Sequence, residues 1–425
     1  MNVSVSLPSS SARLGPAHRW RVLAAGVAAN LSFSAAAAGI PTTAVWLRAA
    51  YRLDNHALGV VLGALGLGVA LLELPWGIAA DRFGDRRVLL TGLVATAALL
   101  AAMALAIVPS ANGVPPLARV AAAMMAVGLF GGSVNGSSGR AVMRWFGERE
   151  RGLAMSIRQT AVPLGGGVGA ALLPWLASHA GFAAVYAALA LLCAASAGLT
   201  WRWLHEPPAS EAVAAPAHPH GPRGAAGQGP LTRVEVWKIV FGIGLLCAPQ
   251  FAVLTFATVF LHDVGRLGIA GISATMVVIQ LGAMVMRVWS GRRTDRLGNR
   301  RGWLRRAVLI AAASFALLAA ATAASRYLPF ASIVVLLAVA GICVSAWHGV
   351  AYTELATLAG TDHAGTALGM ANTVVYLGLF ATPIAIPFML AHAQWSVVWF
   401  AAAVCAWATW PLFPRPQATG RKPMA

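Results

Sequence analysis

Charged residues are scarce in this chain, and acidic residues are the scarcest of them. The 425 residues include 13 Asp and Glu against 31 Lys and Arg, so that 10% of the chain is charged and 59% is hydrophobic. A soluble domain carries about a quarter charged residues, so the composition excludes that class and predicts an integral membrane protein. The basic residues stand in short clusters between apolar runs, which indicates membrane topology signals and no nucleic-acid partner.

Cysteines and catalytic motifs are also few or missing. The 4 cysteines each lie within an apolar run, with no second Cys or His at ligand spacing, so we expect neither a disulfide framework nor a metal site. The chain has no His-Glu-x-x-His segment, no Gly-x-Ser-x-Gly segment and no phosphate-binding loop with its Lys. Without these motifs we expect no enzyme activity and no cofactor.

Long apolar runs fill most of the chain. A bilayer core takes about 20 apolar residues per helix, and on that measure the sequence predicts twelve spans. They lie near 20–46, 57–80, 88–109, 117–142, 155–177, 181–202, 236–261, 267–290, 305–325, 328–351, 364–391 and 395–414. The corresponding division is a tail (1–19), a six-helix bundle (20–202), a Pro-, Ala- and Gly-rich linker (203–235), a second six-helix bundle (236–414) and a tail (415–425).

The basic clusters set the expected orientation. With the N-terminus inside, most of the arginines between spans fall on one side of the membrane. By the positive-inside rule both tails and the linker are then cytoplasmic. We expect a multi-pass protein of the cell inner membrane, monomeric, with the lipid bilayer as its surroundings.

One stretch occurs twice. Gly77-Ile-Ala-Ala-Asp81-Arg82-Phe-Gly84-Asp85-Arg86-Arg87 returns 214 residues later as Gly291-Arg-Arg-Thr-Asp295-Arg296-Leu-Gly298-Asn-Arg300-Arg301. Each copy closes an apolar run, places Gly four residues before an Asp-Arg pair and ends in a basic doublet. The repetition predicts two homologous halves.

This stretch resembles the signature loop between the second and third helices of the major facilitator superfamily, with its degenerate copy between helices eight and nine. The resemblance implies an all-α membrane protein of twelve transmembrane helices in two pseudo-symmetric six-helix bundles. It also implies that the loop residues gate the conformational change, with Asp81 against the inner end of span eleven and Asp295 against that of span five while the cytoplasmic face is closed. The expected gating residues are Gly77, Asp81, Arg82, Gly84, Arg86, Gly291, Asp295 and Arg296.

Charges at membrane depth are costly and mark candidate functional sites. Arg140 and Arg158 lie at similar depth on antiparallel neighbouring spans, so they are expected to face one cavity, although Arg158 can also snorkel to the cytoplasmic lipid phosphates. The segment around Arg158, with Gln159 beside it, resembles the fifth helix of facilitators for cyanate, nitrate and monocarboxylates. Arg287 is similar to an arginine of monocarboxylate-type transporters; snorkelling or pairing with Asp295 are its alternatives. The planar fork of a guanidinium binds a carboxylate or small oxyanion with two hydrogen bonds.

Two groups are candidates for proton coupling. Glu73 lies deep in span two, and a carboxyl removed from water takes up a proton more readily; its alternative is an ion pair with Arg140. His348 changes charge near neutral pH, or it serves as a packing residue beside Trp347. The resemblance places further polar and aromatic groups around a central substrate site; these are Asn30, Gln280, Trp347, Asn372 and Tyr376.

The combined prediction is a secondary transporter that moves a small organic or inorganic anion by alternating access, coupled to protons. The alternative within the same superfamily is an exporter of drugs or metabolites. Clustered arginines disfavour cationic drugs, because a cavity lined by guanidinium groups selects anions.

Overall fold

The structure is a computed structural model that describes residues 17–110, 113–146, 148–205, 229–297, 299–359 and 364–415. Most of the predicted tails and most of the predicted linker lie outside these residues. Within them the chain forms fifteen α-helices and no β-strand, so the predicted all-helical fold is confirmed. The helices are α1 (His18–Ala37), α2 (Ala44–Ala50), α3 (Asn55–Phe83), α4 (Asp85–Ala106), α5 (Leu117–Gly131), α6 (Ser133–Trp145), α7 (Glu148–His179), α8 (Gly181–Trp203), α9 (Val234–Asp263), α10 (Ile269–Leu297), α11 (Arg300–Ala323), α12 (Phe330–Cys343), α13 (His348–Ala359), α14 (Ala364–Leu390) and α15 (Trp395–Ala408).

Three predicted spans are interrupted within the membrane. In the described residues, 11 helical segments are long and apolar enough to cross a bilayer, and α15 adds a shorter apolar helix. Span one breaks at the 3₁₀ turn Ile40–Thr43, span four at Gly132 and span ten at residues 344–347. Broken helices are tolerated at membrane depth where they are buried in protein or line a cavity. The breaks in spans four and ten lie beside the polar residues described below.

The repeat found in the loop extends beyond it into the neighbouring helices of each half. Helix α3 and helix α10 begin and end 214 residues apart, and α6 and α13 end 214 residues apart, at Trp145 and Ala359. A single offset therefore relates equivalent positions of the two halves from the second span to the fourth of each.

Helix ends define two faces of the bundle. The face at which α3, α6, α8, α10 and α13 end carries both copies of the repeated loop, and we call it the loop face. The opposite face, where α3 begins and α9 ends, is the far face.

The two halves pack tightly toward the far face, where α3 contacts α14. A Cβ at Gly63 would lie 2.7 Å from the Phe380 carbonyl oxygen, and a Cβ at Gly66 would lie 2.8 Å from Leu379 Cγ. Near the loop face, a Cβ at Gly77 or Gly291 would have no atom within 4 Å. Among the described residues, the close contact between α3 and α14 thus lies toward the far face, and these two glycines near the loop face have open space beside them.

Replacing Gly63 by valine is expected to shift the protein toward a conformation open at the far face. The added methyl groups meet the backbone of α14, and overpacking of this kind costs about 1–3 kcal/mol. Spin labels at the far-face positions His56 and His392 measure the separation of α3 and α14. In Gly63→Val, a larger fraction of molecules should show a long distance between the two labels. Gly198→Val is the control, because a Cβ there meets nothing within 4 Å, and its distance distribution should match that of the parent. An unchanged distance distribution in Gly63→Val would contradict close packing at this contact.

Candidate substrate site between the two halves

A hydrogen-bonded group of polar side chains joins the two halves around Glu73. Glu73 lies in α3 and is only 6% exposed. Its carboxylate accepts a hydrogen bond from Asn372 of α14 at 2.9 Å and another from Asn135 of α6 at 3.4 Å. Tyr352 of α13 donates to Asn372 Oδ1 at 2.9 Å, and Asn135 donates to the Tyr376 hydroxyl at 2.7 Å. Buried polar networks of this kind fix the geometry of their members.

Sequence reasoning missed Asn135 and Tyr352. Both are uncharged, so the cost of burying a charge gives no signal for them. The available signal was the run Ser133-Val-Asn135-Gly-Ser-Ser138, which is unusually polar for a membrane span and follows the break at Gly132. The alternative for Glu73, an ion pair with Arg140, is not what the structure shows.

Arg158 lies against α6 in the same region. Its residue is 8% exposed, its Nη1 donates to Ser138 Oγ at 3.1 Å, and its Nε is buried without a hydrogen-bond partner. A Cβ at Gly139 would lie 3.5 Å from the guanidinium carbon, so glycine makes room for this close approach. Asn30 donates to the same Ser138 hydroxyl at 2.6 Å. Among the described residues, Arg158 makes no ion pair.

Arg287 of α10 likewise makes no ion pair with a described residue. It is half-buried, and its Nε is buried without a hydrogen-bond partner. The Asp295 side chain lies outside the described residues, so that proposed pairing stays a prediction. His348 stacks on Trp347 with ring centroids 3.9 Å apart, and neither His348 Nδ1 nor Trp347 Nε1 has a hydrogen-bond partner.

The repeat relates these charged groups to one another. The offset of 214 maps Glu73 onto Arg287. Arg287 therefore occupies the position on α10 that Glu73 occupies on α3. Helices α7 and α10 also pack together, with Gln280 of α10 filling the space in front of Gly166 of α7. At this position the second span of the first half carries an acid, and that of the second half carries a guanidinium.

The structure separates the two arginines that the sequence places at similar depth. Arg140 Nε donates to the Asp85 carboxylate at 2.8 Å, and its Nη2 donates to the Ala80 carbonyl oxygen. Its guanidinium therefore lies at the α3–α4 turn, whereas that of Arg158 lies at Ser138. The expectation that Arg140 and Arg158 hold one ligand together is corrected in this conformation, because Asp85 supplies Arg140 with its own counter-charge.

The remaining predicted site residues are distributed along the same helices. Gln159 is half-buried on α7 next to Arg158, and Gln280 is 5% exposed. Open space adjoins the site on the loop side, because a Cβ at Gly136 or Gly349 would have no atom within 4 Å.

The predicted gating residues lie at the loop face. Gly84 turns the chain between α3 and α4 with φ of 86°, a backbone conformation that glycine adopts without strain. Arg86 donates to the Trp201 carbonyl oxygen at 2.8 Å, and Arg82 and Arg296 are exposed. The side chains of Asp81 and Asp295 lie outside the described residues, so their contacts with the inner ends of spans eleven and five stay predictions.

An ion pair between the halves closes the far face. Arg48 of α2 donates to both carboxylate oxygens of Asp263 in α9, at 2.7 and 2.6 Å, and the Thr258 hydroxyl donates to the Pro41 carbonyl at 3.2 Å. Two parallel hydrogen bonds make this the stronger geometry for an arginine–carboxylate pair.

Replacing Asp263 by asparagine is expected to weaken far-face closure. The side chains of Arg48 and Asp263 are 22% and 33% exposed, so solvent screening limits the effect to about 1 kcal/mol. The spin-label pair at His56 and His392 should then report a several-fold larger open population. Asp54→Asn, which removes charge at the same face but within one half, should not. The swap Arg48→Asp with Asp263→Arg should restore closure; equal behaviour of Asp263→Asn and Asp54→Asn would show that the ion pair does not join the halves.

Comparison with known proteins agrees with this architecture. The family model of the Major Facilitator Superfamily matches residues 23–383. A protein of Mycobacterium tuberculosis (strain ATCC 25618 / H37Rv), described as an uncharacterized MFS-type transporter, is 32% identical over 378 residues, which cover 85% of this chain and 79% of that protein.

Two further similarities are more distant. A protein of Arabidopsis thaliana named probable anion transporter 5 is 29% identical over 164 residues, which cover 37% of this chain and 35% of that one. The inward-open structure of a xylose transporter from E. coli superposes with a TM-score of 0.72 at 16% identity and covers 95% of this chain and 98% of that one; this likeness shows the fold. With the family model matched over most of its length, the chain belongs to the Major Facilitator Superfamily, and it is a multi-pass membrane protein of that superfamily of secondary transporters.

Proposed function

We propose that the protein transports a small organic or inorganic anion and binds it between Arg158 and Arg287. The observation that carries the proposal is that both arginines lack an ion pair among the described residues, and each has a buried Nε without a hydrogen-bond partner. A guanidinium removed from water without a counter-charge is costly. A carboxylate or similar oxyanion supplies that charge and accepts two hydrogen bonds from each planar fork.

The arrangement suits alternating access. Arg158 belongs to the first half and Arg287 to the second, so an anion between them contacts both halves. The far face is closed by Arg48 and Asp263, and the loop face is open. With the loop face in the cytoplasm, as the positive-inside rule favours, this conformation exposes the site to the cytoplasm, and rocking of the halves exposes it to the other side.

Glu73 offers a route for proton coupling. Its carboxylate interacts electrostatically with Arg158. An ionised Glu73 therefore partly neutralises that guanidinium and weakens its attraction for the substrate anion. A proton on Glu73 removes this competing charge, and anion and proton then bind together. His348, which interacts electrostatically with Arg287, is the second candidate for the coupling proton.

The name of the partial Arabidopsis relative supports an anion as the substrate class. The xylose transporter shares only 16% identity, so the likeness supports the fold and not the substrate. An exporter of cationic drugs is disfavoured by two unpaired arginines at the site.

Thermal stabilisation of the purified protein tests the substrate class. A panel of monocarboxylates, cyanate and nitrate is compared with xylose and with a cationic dye. We expect at least one anion to raise the melting temperature, and the raise to disappear in Arg158→Ala. Stabilisation by xylose or the dye with none by any anion would overturn the proposal.

A further inference from the structure

A basic cavity lies at the loop face, apart from the site between the halves. It has a volume of about 1010 Å³ and is formed by the α3–α4 turn, the end of α6 and the end of α8. Five arginines line it, namely Arg82, Arg86, Arg87, Arg140 and Arg144. Among the described side chains around it, one carboxylate compensates them: Asp85, which lies 2.8 Å from Arg140 Nε and 3.7 Å from Arg144 Nη1.

The equivalent region of the second half has a different arrangement of basic and acidic residues. The offset of 214 maps Arg140 onto Glu354 and Arg144 onto Leu358. Glu354 accepts a hydrogen bond from Arg301 at 2.6 Å, so the position equivalent to Arg140 carries an acid that pairs with one arginine of the basic doublet. The positive-inside rule requires only that basic residues be numerous on one face. It does not explain why three separate segments bring five of them to one cavity.

Apolar and aromatic groups line the same cavity. Phe83 and Trp201 are 54% and 67% exposed, and both line it together with Leu90. Arg86 lies over the Trp201 ring at 4.9 Å and has a buried Nε without a hydrogen-bond partner. Tryptophan favours the boundary between lipid and water, so the cavity combines cationic groups with a rim suited to hydrocarbon.

We propose that this cavity binds a phosphate group, carried by the headgroup of an anionic phospholipid. Several arginines around one phosphate give charge-assisted and bidentate hydrogen bonds, and basic pockets of membrane proteins on the cytoplasmic side recognise anionic headgroups. Phe83, Leu90 and Trp201 then contact the acyl chains. Soluble phosphate compounds share the chemistry but do not use this apolar rim.

Native mass spectrometry of the purified full chain with added phosphatidylglycerol or phosphatidylcholine tests the proposal. The anionic lipid should bind about tenfold more tightly, a difference within reach of one or two charge-assisted hydrogen bonds. Arg87→Gln with Arg144→Gln should remove most of the preference, and the matched lysine pair should retain part of it. The control is Arg292→Gln with Arg293→Gln, which removes two exposed arginines at the same face of the second half and should keep the preference.

A second arm separates the sources of phosphate. Inorganic phosphate and glycerol 3-phosphate are added in a thermal unfolding assay, which also verifies that each variant is folded. Stabilisation by these solutes without a preference for phosphatidylglycerol would overturn the lipid as the source. The site would be overturned if both lipids bound equally and phosphate gave no stabilisation. It would also be overturned if the cavity variant and the Arg292→Gln, Arg293→Gln control lost the preference for phosphatidylglycerol to the same extent.

Discussion

Replacing Arg158 by alanine is expected to abolish anion transport while the protein remains folded. The guanidinium makes no ion pair with a described residue, and the anion is its proposed counter-charge. Truncation of one partner of a buried, hydrogen-bonded charge pair costs about 2–5 kcal/mol, which corresponds to a loss of affinity of about 30-fold to several thousand-fold. Uptake of labelled anion into proteoliposomes measures the loss.

Two further variants make the Arg158 result specific. Arg158→Lys should rescue poorly, because an ammonium keeps the charge but lacks the planar fork. Arg202→Ala removes an exposed arginine at the end of α8 and should transport like the parent protein. Normal uptake by Arg158→Ala would remove this arginine from the site.

Replacing Glu73 by glutamine is expected to separate exchange from accumulation. Glutamine keeps an oxygen that can accept the 2.9 Å hydrogen bond from Asn372, but it neither carries negative charge nor takes up a proton. The variant should therefore exchange anion across the membrane and fail to accumulate it when a proton gradient is imposed. Counterflow and gradient-driven uptake in the same proteoliposomes measure the two activities.

The control for Glu73 is Glu235→Gln, in the exposed first turn of α9, which should behave like the parent in both assays. Full gradient-driven accumulation by Glu73→Gln would reject Glu73 as the coupling group. The same assays on His348→Gln would then decide whether that residue carries the proton.

The fold was predictable because its signals are local and repeated. Apolar runs of bilayer length predict the helices, and the second copy of the Gly-x-x-x-Asp-Arg loop predicts the halves. The breaks at Gly132 and at residues 344–347 were not predicted, because hydropathy does not distinguish a continuous helix from two helices end to end.

The sequence predicts which charged residues belong to the candidate site, but it does not predict which neighbours they contact. Glu73, Arg158 and Arg287 stand out as charges in apolar spans, but which neighbour each one meets depends on helix rotation. Arg140 illustrates this, since depth alone places it beside Arg158, whereas the Asp85 carboxylate, 55 residues away in the chain, holds its guanidinium at the α3–α4 turn.

Calorimetric titration of the parent protein, Arg158→Ala, Arg287→Ala and the double variant tests the central claim most directly. The ligand is the anion that stabilises the parent protein best. If one anion bridges both guanidinium groups, each single variant should lose most of the affinity, and the double variant should lose little more than the worse single variant, because coupled contacts are not additive. Retention of parent affinity by either single variant would contradict a site built between the two halves.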